Sequence, residues 1–297
     1  MHRRLDSADA MLVVANVLWA LNYAITKSAY DAWQPLAFSA TRFAVAGLLF
    51  SLLVLWREGS LHVRRADIRL VLAAAFVGIL LNQLTFAYAV DNTTAGNVAL
   101  ILASAPAFAA LFAMVAGHEH VTRRHWLALA VSVAGVALVV EGGAGVKGAG
   151  YLGNLLAVGA AVTWAGYSVM LRPLFARYSA SRISALMISI GAAMELPFAL
   201  PQLISQDWGS LHAVHISAWV YSALGPLLLT NLLYFRSLRR IGASRATLYM
   251  YLQPFLAVVF AALLISEQVT ALQVAGGIVI VVGVSLGRLM PGATVRE

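Results

Sequence analysis

The sequence contains no cysteine, and only 11% of its 297 residues are charged. Without cysteine, the chain forms no disulfide bond and no thiolate metal site. With so few charges, 61% hydrophobic residues and apolar runs of about 18 to 22 residues, the chain cannot be a water-soluble domain. The composition therefore predicts a polytopic membrane protein.

The sequence gives no support to nucleotide or hydrolytic chemistry. It has no Walker loop, which excludes an ATP-driven pump made of this chain alone. Its G-x-S-x-G string at Gly283–Gly287 lies in a long apolar run, and its G-x-G-x-x-G strings between Gly143 and Gly153 lie in a glycine-rich stretch, so none has the strand-to-helix context of a catalytic or dinucleotide-binding motif. The histidines His118, His120 and His125 surround Glu119 without the His-Glu-x-x-His spacing of a zinc site. We therefore expect no enzyme, no resident metal and no cofactor.

Long apolar runs recur along the chain and predict an all-α protein with ten transmembrane helices. The runs lack the period-2 alternation of strands, and in lipid a helix satisfies its own backbone hydrogen bonds. The predicted spans are residues 10–28, 35–56, 68–90, 94–116, 126–140, 150–171, 182–201, 216–235, 244–265 and 272–290.

The placement of basic residues supports this count of spans. If the N-terminus is cytoplasmic, 17 of the 20 basic residues fall on the inner side, and the outer loops keep only Lys27 and Lys147. Both termini are then cytoplasmic. The formal net charge of +8 thus indicates topology, and we expect no nucleic-acid partner because no extramembrane domain carries an interface.

The second half of the sequence repeats the first. At an offset of 148 residues, Pro106 matches Pro254 and Glu119 matches Glu267. Each repeat holds five spans, and this odd number inverts the second copy, so that a pseudo-two-fold axis lies in the membrane plane. A site between inverted halves can open to either side, as in transporters. The predicted divisions are residues 1–141, a linker at 142–149, and residues 150–297.

Both repeats share a series of features. A turn of small residues leads into a helix with a central proline, a glutamate ends that helix, and an apolar helix with a glycine follows. Trp19 and Trp164 lie in the helices that open the two halves. In these features the sequence resembles the tandem EamA-repeat branch of the drug/metabolite transporter (DMT) superfamily, and within it the YddG-type exporters of aromatic and other amino acids. The resemblance implies a multi-pass protein of the bacterial inner membrane that exports small organic solutes.

The matched prolines predict kinks near the middle of the membrane. Pro106 and Pro254 have no N–H, so each leaves the carbonyl oxygen four residues earlier, on Leu102 and Met250, without its helical donor. One such proline is most simply a bend. Two at matched positions favour a functional role, and we assign them to gating.

Polar and aromatic residues within the spans predict a central cavity. Lipid-facing Asn or Gln is costly, so these side chains should face the helix bundle. Interhelical packing remains the alternative for both tryptophans. An aromatic cavity with few charges suits an amphipathic solute with an apolar side chain better than a sugar phosphate. The predicted substrate-binding residues are Trp19, Asn22, Asn82, Tyr88, Asn97, Ser104, Trp164, Tyr167, Tyr249 and Gln253.

Charged residues within the spans are few. Arg42 can snorkel, pair with a carbonyl or meet a substrate carboxylate. Glu195 is the candidate for proton coupling, although its predicted position near the outer end of a span favours simple solvation. Glu119 and Glu267, at helix ends, suit caps or contacts between repeats. The spans hold no pair of acidic residues and no sodium cage, so we expect the solute to move down its own gradient.

The sequence leaves several functions open. The leading one is a secondary transporter or facilitator that exports amino acids with aromatic or apolar side chains. Drugs, nucleosides or vitamins are alternative substrates on the same fold, and an intramembrane enzyme or a structural scaffold is less well supported. The expected partners are the solute and the lipid bilayer, and the chain is predicted to be a monomer or a weak homodimer.

Overall fold

The structure is a computed structural model that describes residues 7–115, 123–241 and 249–288. Within these ranges every regular element is a helix, and the predicted all-α polytopic fold is confirmed. We number the helices α1 (Ser7–Ala29), α2 (Pro35–Glu58), α3 (Arg65–Asn92), α4 (Ala95–Val115), α5 (Arg123–Gly142), α6 (Tyr151–Phe175), α7 (Ala180–Ser205), α8 (Ala213–Leu224 and Thr230–Ile241), α9 (Gln253–Ile265) and α10 (Ala271–Arg288).

Each of these helices coincides with one predicted span. Seven are long and apolar enough to cross a membrane, and α5, α9 and α10 contain shorter apolar stretches. The helix ends differ from the predicted ends by a few residues, because caps and buried polar turns extend the helices beyond their apolar runs. The extension of α7 to Ser205, instead of residue 201, matters most for the site described below.

Helix contacts follow a two-fold pattern. In the first repeat α1 packs on α8 and α9, and in the second repeat its counterpart α6 packs on α3 and α4. The remaining large contacts join counterparts directly, α2 with α7 and α5 with α10. If each helix is exchanged for its counterpart in the other repeat, for example α1 for α6 and α8 for α3, the same set of contacts results. That is the pattern expected when a two-fold axis relates two five-helix repeats.

Glycines bring α5 and α10 into backbone contact. A Cβ added to Gly135 would lie 2.7 Å from the backbone nitrogen of Ile280, and one added to Gly276 would lie 2.8 Å from the carbonyl oxygen of Gly135. Gly283 packs in the same way against Ser132. The small-residue face of α10 is therefore used inside the chain, as small residues are in closely packed membrane helices.

Each repeat also contains a π-helical turn that the sequence analysis did not predict. The turn in α3 spans Phe76–Leu81, and the turn in α8 spans Gly225–Leu229. The offset of 148 residues places one on the other. Such turns widen a helix, leave its backbone carbonyls free for other donors, and often occur at functional sites.

The matched prolines follow breaks in their helices. In α4 the regular helix stops at Leu102 and resumes at Ala105, just before Pro106. In α9 the turn residues Tyr251 and Leu252 precede Gln253 and Pro254. The predicted bends are therefore present at both prolines. Their role in gating stays a prediction.

Candidate functional site

One face of α6 carries an exposed tryptophan among buried side chains. Along this face Ala157 and Ala161 are fully buried and Leu171 is only 6% exposed, whereas Trp164 is 43% exposed. Trp164 lies nine residues after the exposed Leu155, which is about 180° around the helix at about 100° per residue. Trp164 is therefore exposed on the face of α6 that packs against the rest of the protein.

The basic residues predict which end of α6 faces the cytoplasm. In that orientation α6 begins at the outer face and ends at the inner face, near Arg172 and Arg177. Trp164 then lies near the middle of the span, between Tyr151 and Phe175.

Trp19, the counterpart of Trp164 in the first repeat, is anchored to the π-helical turn of α8. Its indole Nε1 donates to the carbonyl oxygen of Pro226 at 3.1 Å, and its ring lies 5.7 Å from that of Tyr234. The hydroxyl of Thr230 donates to the same carbonyl. The π-turn carbonyl therefore accepts two hydrogen bonds, one from each of two helices. The hydrogen bond to Pro226 accounts for the partly buried position of Trp19. Trp164 is the more exposed of the two tryptophans.

The ring of Tyr167 packs against the ring of Trp164. The two rings lie 5.4 Å apart, and Tyr167 is only 7% exposed. Its ring fits over Gly78 in the π-helical turn of α3, where an added Cβ would lie 2.0 Å from the ring. Tyr167 is therefore a packed residue that positions Trp164, and the turn at Gly78 provides the space for it.

Asn82 fixes α3 to α6 beside Trp164. Its side-chain amide donates to the carbonyl oxygen of Ala160 at 2.9 Å and to the hydroxyl of Thr163 at 3.2 Å, and it accepts from Gln83 at 3.1 Å. These bonds leave Asn82 only 4% exposed. The structure therefore places Asn82 between α3 and α6, where it bonds the residues just before Trp164; its role in substrate binding stays a prediction.

Three further predicted residues lie where α1 meets α8 and α9. Gln253 donates to the hydroxyl of Tyr23 at 3.4 Å, just before the proline of α9. Asn22 accepts from the hydroxyl of Ser222 at 2.8 Å and is nearly buried. Tyr249 is partly buried on the other side of the break in α9. Together with Trp19 they lie where the first helix of one repeat meets the second repeat; their role in binding stays a prediction.

The structure does not bring Asn97, Ser104 or Tyr88 to that cavity. Asn97 lies in the first turn of α4, fully buried, and accepts from Gln273 at 2.7 Å while it donates to Asn154 at 3.1 Å. Its polar character is explained by this network, which joins α4, α6 and α10. Ser104 is 1% exposed and donates to the carbonyl oxygen of its own helix at residue 101. Tyr88 lies one turn from the outer end of α3, where its hydroxyl accepts from Gln202 at 3.1 Å.

Two charged side chains join other helices to the turn between α3 and α4, on the predicted outer side. Glu267, just after α9, accepts hydrogen bonds from the backbone amides of Ala95 at 2.6 Å and Gly96 at 3.0 Å. Lys27, near the end of α1, donates to the carbonyl oxygens of Val90 at 2.7 Å and Asp91 at 2.9 Å. Each charge has the sign that stabilises its helix end, an anion at the start of α4 and a cation at the end of α3. Glu267 therefore makes a contact between repeats, as the sequence predicts, while its counterpart Glu119 lies outside the described residues.

Glu195 is buried, contrary to the predicted solvation near a span end. Because α7 continues to Ser205, Glu195 lies nearly three turns inside the helix, and its side chain is 0% exposed. Arg42 is 2% exposed and donates to Gln83 at 3.1 Å, so it does not snorkel to the surface. The predicted span 182–201 was too short at this end, because α7 continues past Pro197 and Pro201 to Ser205.

Some residues near the cavity were missed by sequence reasoning. Tyr234 packs against Trp19, and Thr163 bonds Asn82 next to Trp164. Tyr234 is the repeat counterpart of Phe86, so the repeat itself could have found it. Thr163 had no comparable indication, because a threonine that bonds its own helix is common in membrane spans. Among the described residues, no group of three or more His, Asp or Glu is placed to hold a metal ion.

Both halves of the chain match the EamA-like transporter family, one over residues 6–141 and the other over residues 151–287. These two stretches cover most of the chain, so the chain belongs to the EamA-like transporter family of the DMT superfamily. The resemblance seen in the repeat is confirmed at this level. The protein is thus a multi-pass membrane transporter by class.

Relatives of known sequence extend over nearly the full length of the chain. An "Uncharacterized transporter" of Archaeoglobus fulgidus is 22% identical, with 93% of this chain and 95% of that protein aligned. A "Probable terminal-alkyne amino-acid exporter" of Streptantibioticus cattleyicolor is 25% identical over 95% and 94% of the two chains. The "Uncharacterized inner membrane transporter YedA" of Escherichia coli K12 is 26% identical over 97% and 94%.

A solved crystal structure shares the fold. The aligned protein is 20% identical in sequence, and the superposition has a TM-score of 0.66 with 96% of this chain and 97% of that chain covered. The similarity supports the arrangement of the helices described above.

Proposed function

We propose that the protein is a secondary transporter or facilitator that exports small amphipathic solutes, with aromatic or apolar amino acids as the substrate class. The observation that carries the proposal is the position of Trp164, which is 43% exposed near the middle of α6 on a face where Ala157, Ala161 and Leu171 are buried. An exposed tryptophan inside a membrane protein is available to contact a solute, because lipid does not reach that face.

The chemistry of the wall supports this substrate class. Trp164 and Tyr234 offer aromatic surface, while Asn231 and Gln253 are partly buried polar groups nearby on α8 and α9. A site with a large apolar wall and a few polar groups suits a solute that has an apolar side chain and a polar head. The relative whose name includes an amino-acid exporter is consistent with this class.

Alternating access follows from the repeat. In the structure Glu267 and Lys27 join helix ends at the predicted outer face, and we propose that the solute enters from the opposite side, where it reaches Trp164. Releasing these outer contacts and closing the inner side would give the inverted conformation, since the two halves are related by a two-fold axis. We place the protein in a bacterial inner membrane, like the relative whose name states that location.

We propose facilitated movement without an enzymatic step. The cavity residues carry no nucleophile paired with a base, and the chain has no nucleotide-binding motif. The solute then moves down its own gradient, and export results when its concentration is higher in the cytoplasm.

Proteoliposome flux with an amino-acid panel tests this function. The wild-type protein should carry L-phenylalanine and L-tryptophan faster than L-aspartate without an imposed ion gradient. Trp164→Ala should lower that flux severalfold, because the solute loses aromatic contact worth about 1 kcal/mol or more. Trp56→Ala is the matched control. Trp56 is 79% exposed near the end of α2, so its replacement should leave the flux unchanged.

The panel also includes nucleosides, vitamins and cationic drugs. Selective flux of one of these, with no amino-acid flux, would overturn the proposed substrate class and keep the fold-level conclusion. Flux that is equal in wild-type protein and Trp164→Ala would remove Trp164 from the site.

A further inference from the structure

Glu195 is a buried carboxyl group that the proposed transport path does not use. It lies between α2 and α3 in the closed outer half, and its side chain is 0% exposed. Neither of its carboxylate oxygens has a hydrogen-bond partner. A buried carboxylate without hydrogen bonds is strongly disfavoured relative to the hydrated ion, so this environment calls for a compensating group.

Arg42, the nearest cation, is held mainly by other groups. Its Nη2 donates to Gln83 at 3.1 Å, and its guanidinium carbon lies 5.3 Å from the ring centroids of both Phe38 and Phe43. Its Nε has no hydrogen-bond partner. Gln83 and the two rings therefore stabilise the cation without a direct bond to Glu195. Arg42 attracts the carboxylate through space but leaves both oxygens unbonded.

The other titratable groups around Glu195 do not supply the missing compensation. Tyr30, in the turn between α1 and α2, interacts electrostatically with Arg42 and Glu195 and also with Tyr88 and Asp91 of α3. Burial raises the pKa of Tyr30 above its usual range, so that phenol stays neutral at physiological pH. The hydroxyl of Ser39 on α2 is the remaining polar neighbour of Glu195. We call Glu195, Arg42, Tyr30 and Ser39 the Glu195 cluster. Within this cluster, the charge that can change is that of Glu195.

The cluster lies in the half of the protein that must open for solute to leave. The outer half is closed around it by bonds such as that between Asn22 and Ser222 and that between Gln202 and Tyr88. Opening this half admits water, which hydrates an ionised carboxyl group. Closing it removes the water and favours the neutral acid.

From these observations we infer that Glu195 binds a proton when the outer half is closed and releases it to the outside when that half opens. On closing, the carboxylate takes up one proton from the outer solution and becomes a carboxylic acid; on opening it returns that proton to the same solution, so no proton crosses the membrane and no other group changes. By linkage, acid outside stabilises the closed conformation, and neutral or alkaline solution favours opening. The inference rests on the alternating opening of the proposed function but not on the identity of the solute.

The cysteine-free chain allows a direct test with an engineered thiol. Ser222→Cys places a thiol that is fully buried in the closed outer half, and a membrane-impermeant maleimide added outside labels it only when that half opens. Labelling rates are measured from pH 5 to pH 8 and divided by those of Lys147→Cys, which is exposed in an outer loop and corrects for thiol ionisation. One linked proton lowers the normalised rate by up to about tenfold per pH unit on acidification.

Two carboxyl variants assign the effect. Glu195→Gln, made on the Ser222→Cys chain, removes the titratable group and keeps the shape, so the normalised rate should stay low at every pH. Glu141→Gln alters an exposed carboxyl at the end of α5 and should keep the pH response. A second reporter, Ala157→Cys on the buried part of the α6 face, should give the same profile as Ser222→Cys.

The outcomes separate the two proposals. A normalised rate that does not change with pH at either reporter would overturn proton binding and leave alternating access intact. A pH response that persists in Glu195→Gln would assign the proton to another group and overturn the inference. Labelling that is absent at both reporters and every pH would show that the outer half does not open, which would contradict alternating access as well. If Glu195→Gln does not accumulate as folded protein, Glu195→Asp on the Ser222→Cys chain takes its place: the shorter titratable side chain should shift the midpoint of the pH response, and an unshifted midpoint would overturn the assignment to Glu195.

Discussion

Replacing Glu267 with glutamine should release the outer side of the protein. The carboxylate accepts from the amides of Ala95 and Gly96, the first two residues of α4, from the other repeat. Glutamine keeps one oxygen as an acceptor but turns an NH₂ group towards the second amide, so one charge-assisted bond is lost and two donors face each other. The negative charge at the start of α4 is lost as well.

The expected shift follows from these bonds. A hydrogen bond to a charged group contributes about 1.5–3 kcal/mol. We expect the contact to break when the outer side opens, so its loss should favour the open conformation by that amount. The population open to the outside should rise roughly ten- to hundredfold, since each 1.4 kcal/mol is about a factor of ten.

Labelling of Ser222→Cys from outside measures this population directly. Glu267→Gln should raise the labelling rate at least severalfold, while Gln268→Ala, at the exposed neighbouring position, should leave it unchanged. Thermal melting checks that the variant remains folded. A rate within twofold of the parent would refute the role of Glu267 in holding the outer side closed.

Three further predictions follow from the fold. Gly276→Val should reduce folded yield sharply in detergent extracts, because an added Cβ already lies 2.8 Å from the Gly135 carbonyl oxygen, and normal yield would contradict the packing of α5 on α10. Trp19→Ala should lower both the melting temperature and the flux, whereas Trp164→Ala should lower flux with little loss of stability, and the reverse result would exchange their roles. Topology reporters should be cytoplasmic after Arg65, Arg124, Arg177 and Arg240 and external after Asp31, Lys147 and Asp207, and one reversed loop would break the ten-span orientation.

The fold was largely predictable because lipid imposes simple rules. Apolar runs of span length, matched residues at an offset of 148 and alternating basic loops indicate ten helices in two repeats. The π-helical turns at Phe76–Leu81 and Gly225–Leu229 were not predictable, because a local backbone register depends on packing such as that of Tyr167 over Gly78.

The candidate site was predictable in type and only partly in detail. Trp19 and Trp164 stood out because both lie at mid-span in matched helices, and the structure distinguishes them through the bond from Trp19 to Pro226. Asn97 resembled a cavity residue because buried amides in membranes need partners, and sequence does not say whether the partner is a solute or another helix. Its partners are Asn154 and Gln273, which lie far away in sequence. Burial of Glu195 depended on where α7 ends, which two prolines obscured.

Thiol labelling at position 164 tests the central claim most directly. Trp164→Cys on this cysteine-free chain should react with a water-soluble maleimide from the cytoplasmic side, and L-phenylalanine should slow that reaction by occupying the cavity. Leu155→Cys, about 180° away on the lipid-facing side of α6, should react slowly and without protection. Equal, slow labelling at both positions, or labelling at position 164 that no amino acid slows, would contradict an inward-open cavity that binds amino acids.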